Sequence, residues 1–277
     1  MTAVLDRLYD PAWAEGWDAV GLVCGDPEAE VRRVLFAVDP VEAVAEEAAE
    51  LGADLVVCHH PLFLRPVHSV AATDAKGRLV HRLIQRSIAL HVCHTNADSA
   101  NPGVSDALAA TLGLRVLRPL APSSGSTAAP DRGIGRVCEL PEPLSLAEFV
   151  QRAAEALPTG AAGLRVSGDL KATVRTVAVS GGAGDSLIGA ARAAGVDVFL
   201  TADLRHHPLS ETREQHPMAL VDAGHWSTEW PWLADAARLL TEALPPDTVE
   251  THVSRQVTDA WTAVAHPSVP DFPGSRS

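Results

Sequence analysis

The sequence is poor in cysteine and has no long apolar run. Its four cysteines form no CxxC pair and lack the dense spacing of a secreted disulfide framework, so we expect reduced thiols. No window of about eighteen residues lacks both a charge and a proline–glycine break, and no basic stretch precedes an apolar segment near the N-terminus. These absences predict a cytoplasmic protein without membrane association.

Positive charge is also scarce. The chain has 22 Lys and Arg against 35 Asp and Glu, a formal net charge of -13. Such a chain repels a phosphate backbone, and its basic clusters at 32–33 and 205–207 are short, so nucleic acid is not expected as a partner. A bound cation could still attract a single phosphorylated ligand. The apolar fraction of 47% in 277 residues is enough for one large domain or two small ones.

Strand and helix signals alternate in both halves of the chain. Residues 31–40 and 53–58 are apolar and β-branched, and the alanine- and glutamate-rich segment 41–51 between them has helical spacing. The same order returns with strands at 174–180 and 196–201 around a helix at 186–194. The pattern predicts a βαβ unit in each half and an α/β fold.

Three sequence matches relate the two halves. Residues 51–57 align without a gap with 194–200, and each segment is followed by His-His-Pro, at 59–61 and 206–208. The third match concerns a strand that ends in a histidine with a carboxylate four residues later. It comprises His94 with Asp98 and His225 with Glu229. The shared order indicates an internal duplication, although α/β proteins can also share Gly-x-Asp strand openings by chance.

Several histidines and carboxylates follow predicted strands, at the edge where open α/β sheets place their ligands. His59 and His60 form an adjacent pair, and the two His-x-x-x-carboxylate segments add further donors. Each element alone has a simpler explanation, as a turn, a core histidine or an acid at a helix N-terminus. Together they predict a metal site.

Mixed imidazole and carboxylate ligands suit Zn²⁺, Mn²⁺, Fe²⁺ or Co²⁺. A site with two divalent ions would deprotonate a water held between them and so provide a hydroxide nucleophile near neutral pH. Glu229 and Asp98 are the expected bridging or capping carboxylates and the expected catalytic residues.

Three further features have a functional and a structural interpretation. The segment 180–186, Ser-Gly-Gly-Ala-Gly-Asp-Ser, could hold a phosphate on its backbone amides or simply form a tight turn between a strand and a helix. Asp18 could support the metal site or be a turn residue. Cys58 and Cys93 adjoin candidate ligands, but buried cysteine is usually core filler, and we do not expect them to bind metal.

Six segments carry a family resemblance. They are Trp17-Asp-Ala-Val-Gly-Leu22, Cys58-His-His-Pro61, His94-Thr-Asn-Ala-Asp98, Gly181-Gly-Ala-Gly-Asp-Ser-Leu187, Thr201-Ala-Asp-Leu-Arg-His-His207 and Gly224-His-Trp-Ser-Thr-Glu229. Over nearly its whole length the chain resembles the dinuclear-metal family called GTP cyclohydrolase 1 type 2, or Nif-three-like. Two departures are Ala19, where the family usually has Asn, and Ala202, where it commonly has Gly.

The resemblance implies a ligand set, a fold and an assembly. The implied metal ligands are His59, His60, Asp98, His225 and Glu229, all of which are present. His94 and Asp18 are expected to contact these ligands rather than the ions. The implied fold has two pseudo-symmetric, intertwined α/β lobes with mixed sheets flanked by helices, and the implied assembly is a ring-shaped homohexamer with its metal sites facing an inner cavity.

The predicted boundaries divide the chain into four parts. Residues 1–120 form the first lobe and 121–218 the second, and 219–265 complete the metal site and pack on the first lobe. The tail 266–277 is expected to be disordered, and residues 121–130 to be a polar loop.

The leading functional hypothesis is a metal-dependent hydrolase acting on a nucleotide or a related phosphorylated small molecule. One alternative is a non-catalytic metal-binding regulatory or metal-handling protein. Another is a phosphoesterase or an amidohydrolase with the same fold, because a fold does not identify a substrate.

Overall fold

The computed structural model describes residues 1–123 and 131–265, so the predicted tail and most of the predicted polar loop lie outside the described residues. Within these ranges the α-helices are α1 (Thr2–Leu8), α2 (Glu42–Leu51), α3 (Ala75–Gln85), α4 (Thr95–Ser99), α5 (Val104–Thr111), α6 (Leu146–Ala156), α7 (Ile188–Ala194), α8 (His206–Gln215), α9 (His225–Glu229) and α10 (Trp232–Glu242). None of them is both long and apolar enough to cross a membrane.

The strands form two mixed sheets. The strands are β1 (Gly21–Cys24), β2 (Arg33–Ala37), β3 (Leu55–Cys58), β4 (Ala89–Val92), β5 (Arg115–Pro122), β6 (Gly133–Ser145), β7 (Arg165–Ser167), β8 (Thr173–Ala183), β9 (Val198–Ala202), β10 (Ala219–Asp222) and β11 (Glu250–Val253). The first sheet has the order β1-β4-β3-β2-β11, and the second has the order β5-β6-β8-β9-β10-β7. The predicted α/β fold with mixed sheets flanked by helices is confirmed.

Local sequence signals set the ends of several helices. Gly52 and Gly195 end α2 and α7 in the left-handed conformation, with φ of 63° and 68°, which glycine adopts without the steric cost of a Cβ. At the start of α6, Ser145 and Glu148 form a reciprocal capping box. β3 is buried along its whole length because helices cover both faces of the parallel part of the sheet.

The duplication is visible in the topology. β2, β3 and β4 are parallel neighbours, and β1 pairs antiparallel with β4 at the edge. In the second sheet β8, β9 and β10 are likewise parallel, and β7 pairs antiparallel with β10. The two halves therefore share a β-βαβαβ arrangement, which the sequence matches predicted.

One aspartate performs the same task in each half. Asp54 accepts hydrogen bonds from the backbone N–H groups of Arg32 and Arg33, which lead into β2. Asp197 accepts the corresponding bonds from Arg175 and Thr176 of β8. The aspartate before the second strand thus fixes the register of the first, which explains why the Gly-x-Asp opening occurs in both copies.

The C-terminal elements return to the first sheet. β11 pairs in parallel with β2, and α10 packs into the core beside that sheet. Trp232 of α10 meets Tyr9 edge to face at 5.5 Å and donates to its hydroxyl. The division of the chain at 120 and 218 stays a prediction. β5, Arg115–Pro122, spans the first of these boundaries, and β10, which follows the second, lies in the second sheet.

A buried ion pair joins the second sheet to α5. Arg136 of β6 donates to both carboxylate oxygens of Asp106, at 2.8 and 2.6 Å. Its remaining donors reach the backbone carbonyls of Gly133, Gly135 and Ala100. Each of the five N–H groups of the guanidinium therefore has an acceptor, as a buried charge requires.

Arg136→Met should lower the free energy of unfolding by about 3–5 kcal/mol, because it leaves the Asp106 carboxylate without its partner. Arg115→Met is the matched control, since Arg115 forms a largely exposed pair with Glu139 and should cost about 1 kcal/mol or less. Chemical denaturation of both variants measures the difference. Equal losses would contradict a special role for the buried pair.

Candidate metal centre

The predicted ligands come together where strands of both sheets end. His59 and His60 follow β3, while His94 and Asp98 lie at and within α4, directly after β4. From the second half, His225 and Glu229 are the first and last residues of α9, which follows β10. The carboxyl ends of these strands therefore bring together side chains that are far apart in the sequence.

The sheet registers show that the candidate ligands of the two halves do not occupy equivalent positions. Leu55 of β3 corresponds to Val198 of β9, because each pairs with the first residue of the following parallel strand. This alignment places Ala202 and Asp203 where the first half has His59 and His60. The second His-His-Pro, at 206–208, instead begins α8, where its histidines are exposed. It does not join the metal ligands.

Three side chains form a compact donor set. The Nε2 atoms of His60 and His225 are 3.2 Å apart. The two oxygens of Glu229 lie 3.1 Å from these nitrogens, Oε2 from His60 and Oε1 from His225. Donors bound tetrahedrally to a zinc ion at about 2.0–2.1 Å are about 3.3 Å from one another. The spacing fits one divalent cation.

A wider donor set surrounds His59. Its Nε2 lies 3.5 Å from Glu229 Oε1 and 3.9 Å from Asp98 Oδ1. The sequence predicted that His94 contacts the ligands rather than an ion. In the structure it offers a ring nitrogen within 4.8 Å of ligand atoms of His59 and His60. The geometry therefore adds His94 to the side chains that can reach an ion.

Hydrogen bonds on the outer side of each ring leave Nε2 free to bind a metal. The Nδ1 atoms of His60, His225 and His94 lie 2.7–2.8 Å from carboxylates. In that order the carboxylates belong to Asp39, Asp203 and Asp18. His59 Nδ1 lies 2.9 Å from the carbonyl of Cys93. An acceptor at Nδ1 keeps the proton there, and such outer partners orient metal-binding histidines.

Asp18 lies against His94, 2.8 Å from its Nδ1. Its side chain is fully buried and also accepts from the backbone N–H of Thr95. Although burial opposes ionisation, the hydrogen bonds from His94 and Thr95 hold the pKa of Asp18 well below its usual value. Asp39 and Asp203 were missed by the sequence reasoning. Asp203 directly follows β9, and Asp39 comes two residues after the end of β2. A position just after a strand is the one signal that could have identified them.

The Glu229 carboxylate packs directly against the backbone of Gly182. This glycine has a φ of 63°, and a Cβ at this position would collide with Glu229 Oε1 and lie 3.2 Å from His225 Nε2. Its N–H donates to Thr228 Oγ1. The glycine-rich segment thus forms a turn that lets the backbone approach the donors closely, and this explains its composition without a bound phosphate.

The charges at the centre are strongly coupled. Burial disfavours a charged ring, but the Glu229 carboxylate overrides this effect and raises the pKa of His60 to about 11 and that of His225 to about 9. The same histidines hold the pKa of Glu229 far below its usual value, despite its burial. His59 Nε2 and Glu229 Oε2 are buried without an aligned hydrogen-bond partner. Buried polar atoms of this kind need a partner, and a cation would supply one.

Comparison with known proteins identifies the family of the chain. The Duf34/NIF3 (NGG1p interacting factor 3) family matches residues 1–260. The chain belongs to this family. A Streptomyces coelicolor protein named GTP cyclohydrolase 1 type 2 homolog is 60% identical over 261 residues, covering 94% of this chain and 91% of the relative.

Solved structures share the fold. A Bacillus cereus protein related to NIF3 superposes with a TM-score of 0.86 at 24% identity and covers 95% of this chain and 97% of its own. The Staphylococcus aureus hypothetical protein SA1388 has a TM-score of 0.85 at 26% identity with the same coverage. These similarities confirm the family resemblance and the fold.

Gly182→Ala should lose most of its bound metal, because the new methyl group displaces the Glu229 carboxylate. Gly189→Ala, within α7, is the matched control, since a Cβ there meets nothing within 4 Å and alanine is the better helix former. Metal content measured by plasma mass spectrometry tests both variants. Equal loading of the two would refute the role of Gly182.

Metal binding should release protons, so the apparent affinity should rise with pH up to about 9, the pKa of His225 in the metal-free site. The raised pKa values mean that His60 and His225 hold protons in the metal-free site, and an ion binds the neutral rings. We expect about one to two protons per ion. Isothermal titration calorimetry in buffers of different ionisation enthalpy measures the number, and an affinity independent of pH would contradict this account.

Proposed function

We propose that the protein is a dinuclear metal-dependent hydrolase of a nucleotide or a related phosphorylated small molecule. The observation that carries the proposal is the buried Glu229 carboxylate, which faces imidazole Nε2 atoms from both halves of the fold. A carboxylate between two groups of histidines is suited to bridging two ions.

Two ion positions follow from the available donors. His60 has one free nitrogen because its Nδ1 is held by Asp39, so it can serve a single ion together with His225 and Glu229. His59 and Asp98 would hold the other ion together with the Glu229 carboxylate, and His94 is within reach of that ion. Zn²⁺, Mn²⁺ and Fe²⁺ all accept this mixture of nitrogen and oxygen donors.

Divalent ions, when bound, would activate a water and polarise a substrate oxygen. The protein's own groups would do the rest. Asp39 and Asp203 keep the rings of His60 and His225 in the metal-binding tautomer. Asp98, whose pKa is raised by burial in the metal-free protein, would ionise as it takes up an ion. Glu229 holds the two halves of the site at a fixed separation.

A cavity of about 430 Å³ lies in front of the site and includes His60 and His225 in its lining. This volume suits a small molecule rather than a polymer. Loaded ions would be the largest positive charges there and would attract a phosphate or carboxylate. The relatives' name, GTP cyclohydrolase 1 type 2 homolog, is compatible with a nucleotide substrate. The homohexamer and the cytoplasmic location stay predictions.

A metal-handling role without turnover is the second candidate, and one observation favours it. The cavity lining includes four aspartates, residues 39, 203, 222 and 259, but only one arginine, Arg165, and no lysine. A cavity with an acidic lining attracts free cations and, in the metal-free state, disfavours anionic substrates.

We expect about two ions per chain in the protein and a sharp loss in the double variant His225→Ala, Glu229→Gln, because both ion positions use Glu229. His206→Ala is the control, since that exposed histidine lies outside the site. Plasma mass spectrometry gives the stoichiometry. Full loading of the double variant would exclude this site.

Turnover separates the two candidate functions. GTP and a panel of phosphate esters and cyclic amides should be assayed with Mn²⁺ and Zn²⁺, and Glu229→Gln should abolish any activity. If the loaded protein turns over no member of the panel, the hydrolase proposal fails and the metal-handling role remains.

A further inference from the structure

The C-terminal segment forms part of the wall of the front cavity. Residues 258–261 line the cavity together with Arg165 and the two histidines. Of the tryptophans in the chain, Trp261 is the most exposed, at 68%, whereas Trp226 and Trp232 are buried. An indole that borders a cavity and is left in water is available to a ligand.

This segment is fastened to the rest of the molecule. The N–H of Ser254 donates to the carbonyl of Phe36, which extends the pairing of β11 with β2. Thr258 Oγ1 donates to Asp39, the carboxylate that also orients His60. The N–H of Trp261 then donates to Asp259 Oδ1 at 3.0 Å. Trp261 is therefore three residues from a direct contact with the histidine support of the metal site.

The acidic side chains of the cavity are largely engaged. Asp39 and Asp203 bind histidine rings, and Asp222 pairs with Arg165 at 2.6 Å. Once ions are bound, the cavity has a cationic end at His60 and His225 and an aromatic wall at Trp261. These two features recognise a molecule that carries both an anionic group and a flat ring.

We propose that Trp261 stacks on a planar heterocyclic ring of the ligand, whose anionic group faces the metal ions. This inference rests on the proposed function, since it takes the front cavity as the substrate site. Stacking uses the face of a ring and tolerates different bases, so Trp261 would select rings over ringless phosphates without choosing guanine over adenine. The choice of base would depend on other groups.

The test compares guanosine 5′-monophosphate with ribose 5-phosphate, which has the same phosphate and sugar without the ring. Metal-loaded protein should bind the nucleotide about five- to a hundredfold more tightly, the range expected for one stacked base. Adenosine 5′-monophosphate should behave like the guanosine compound. In Trp261→Ala this advantage should vanish while ribose 5-phosphate binds as before, and Trp261→Phe should keep most of it.

Val257→Ala is the matched control, because Val257 lies in the same segment and is 58% exposed but does not line the cavity. Calorimetric titration gives the affinities, and the metal content of each variant is measured in parallel. The proposal is overturned if wild-type protein binds no nucleotide more tightly than ribose 5-phosphate, or if Trp261→Ala weakens both ligands equally. Failure of the proposed metal site would show separately, as absence of bound metal.

Discussion

The structure depends on the burial of one carboxylate among histidine rings. Glu229 would be costly in the interior without opposite charge, and the neighbouring rings supply that charge as imidazolium or as ligands of a shared cation. Its position requires Gly182, because any side chain there would occupy the same space. It also requires the outer acceptors that turn each Nε2 inward. A glycine turn and several separate aspartates thus serve one centre.

The duplicated fold explains how this centre is assembled. Parallel strands direct their carboxyl ends to one edge of a sheet, and the two sheets bring their edges together at the site. The halves are not equivalent there, since the first contributes four candidate donors and the second contributes His225 and Glu229. In the sheet registers Thr95, not His94, corresponds to His225. The pair of His94 and Asp98 is therefore offset by one residue from the pair of His225 and Glu229.

Much of this arrangement could be predicted from the sequence because its signals are local. Apolar periodicity and Gly-x-Asp openings predicted the repeated strands, and histidines at strand ends predicted the candidate ligands. The sequence did not identify Asp39 and Asp203 as partners of the histidine rings, because each is a single residue about twenty positions from the ring it holds. The glycine segment was ambiguous, since composition predicts a tight turn but not which side chain packs against it. Trp261 could not be assigned because its cavity is built from distant segments.

Anomalous X-ray diffraction from metal-loaded crystals, recorded at the absorption edge of the bound element, tests the central claim most directly. The account predicts a peak about 2.0–2.2 Å from the Nε2 atoms of His60 and His225, and a second beside His59 and Asp98. Glu229 should lie between the two peaks. Peaks elsewhere, or none at these donors in loaded crystals, would contradict the assignment and leave the histidines a structural role.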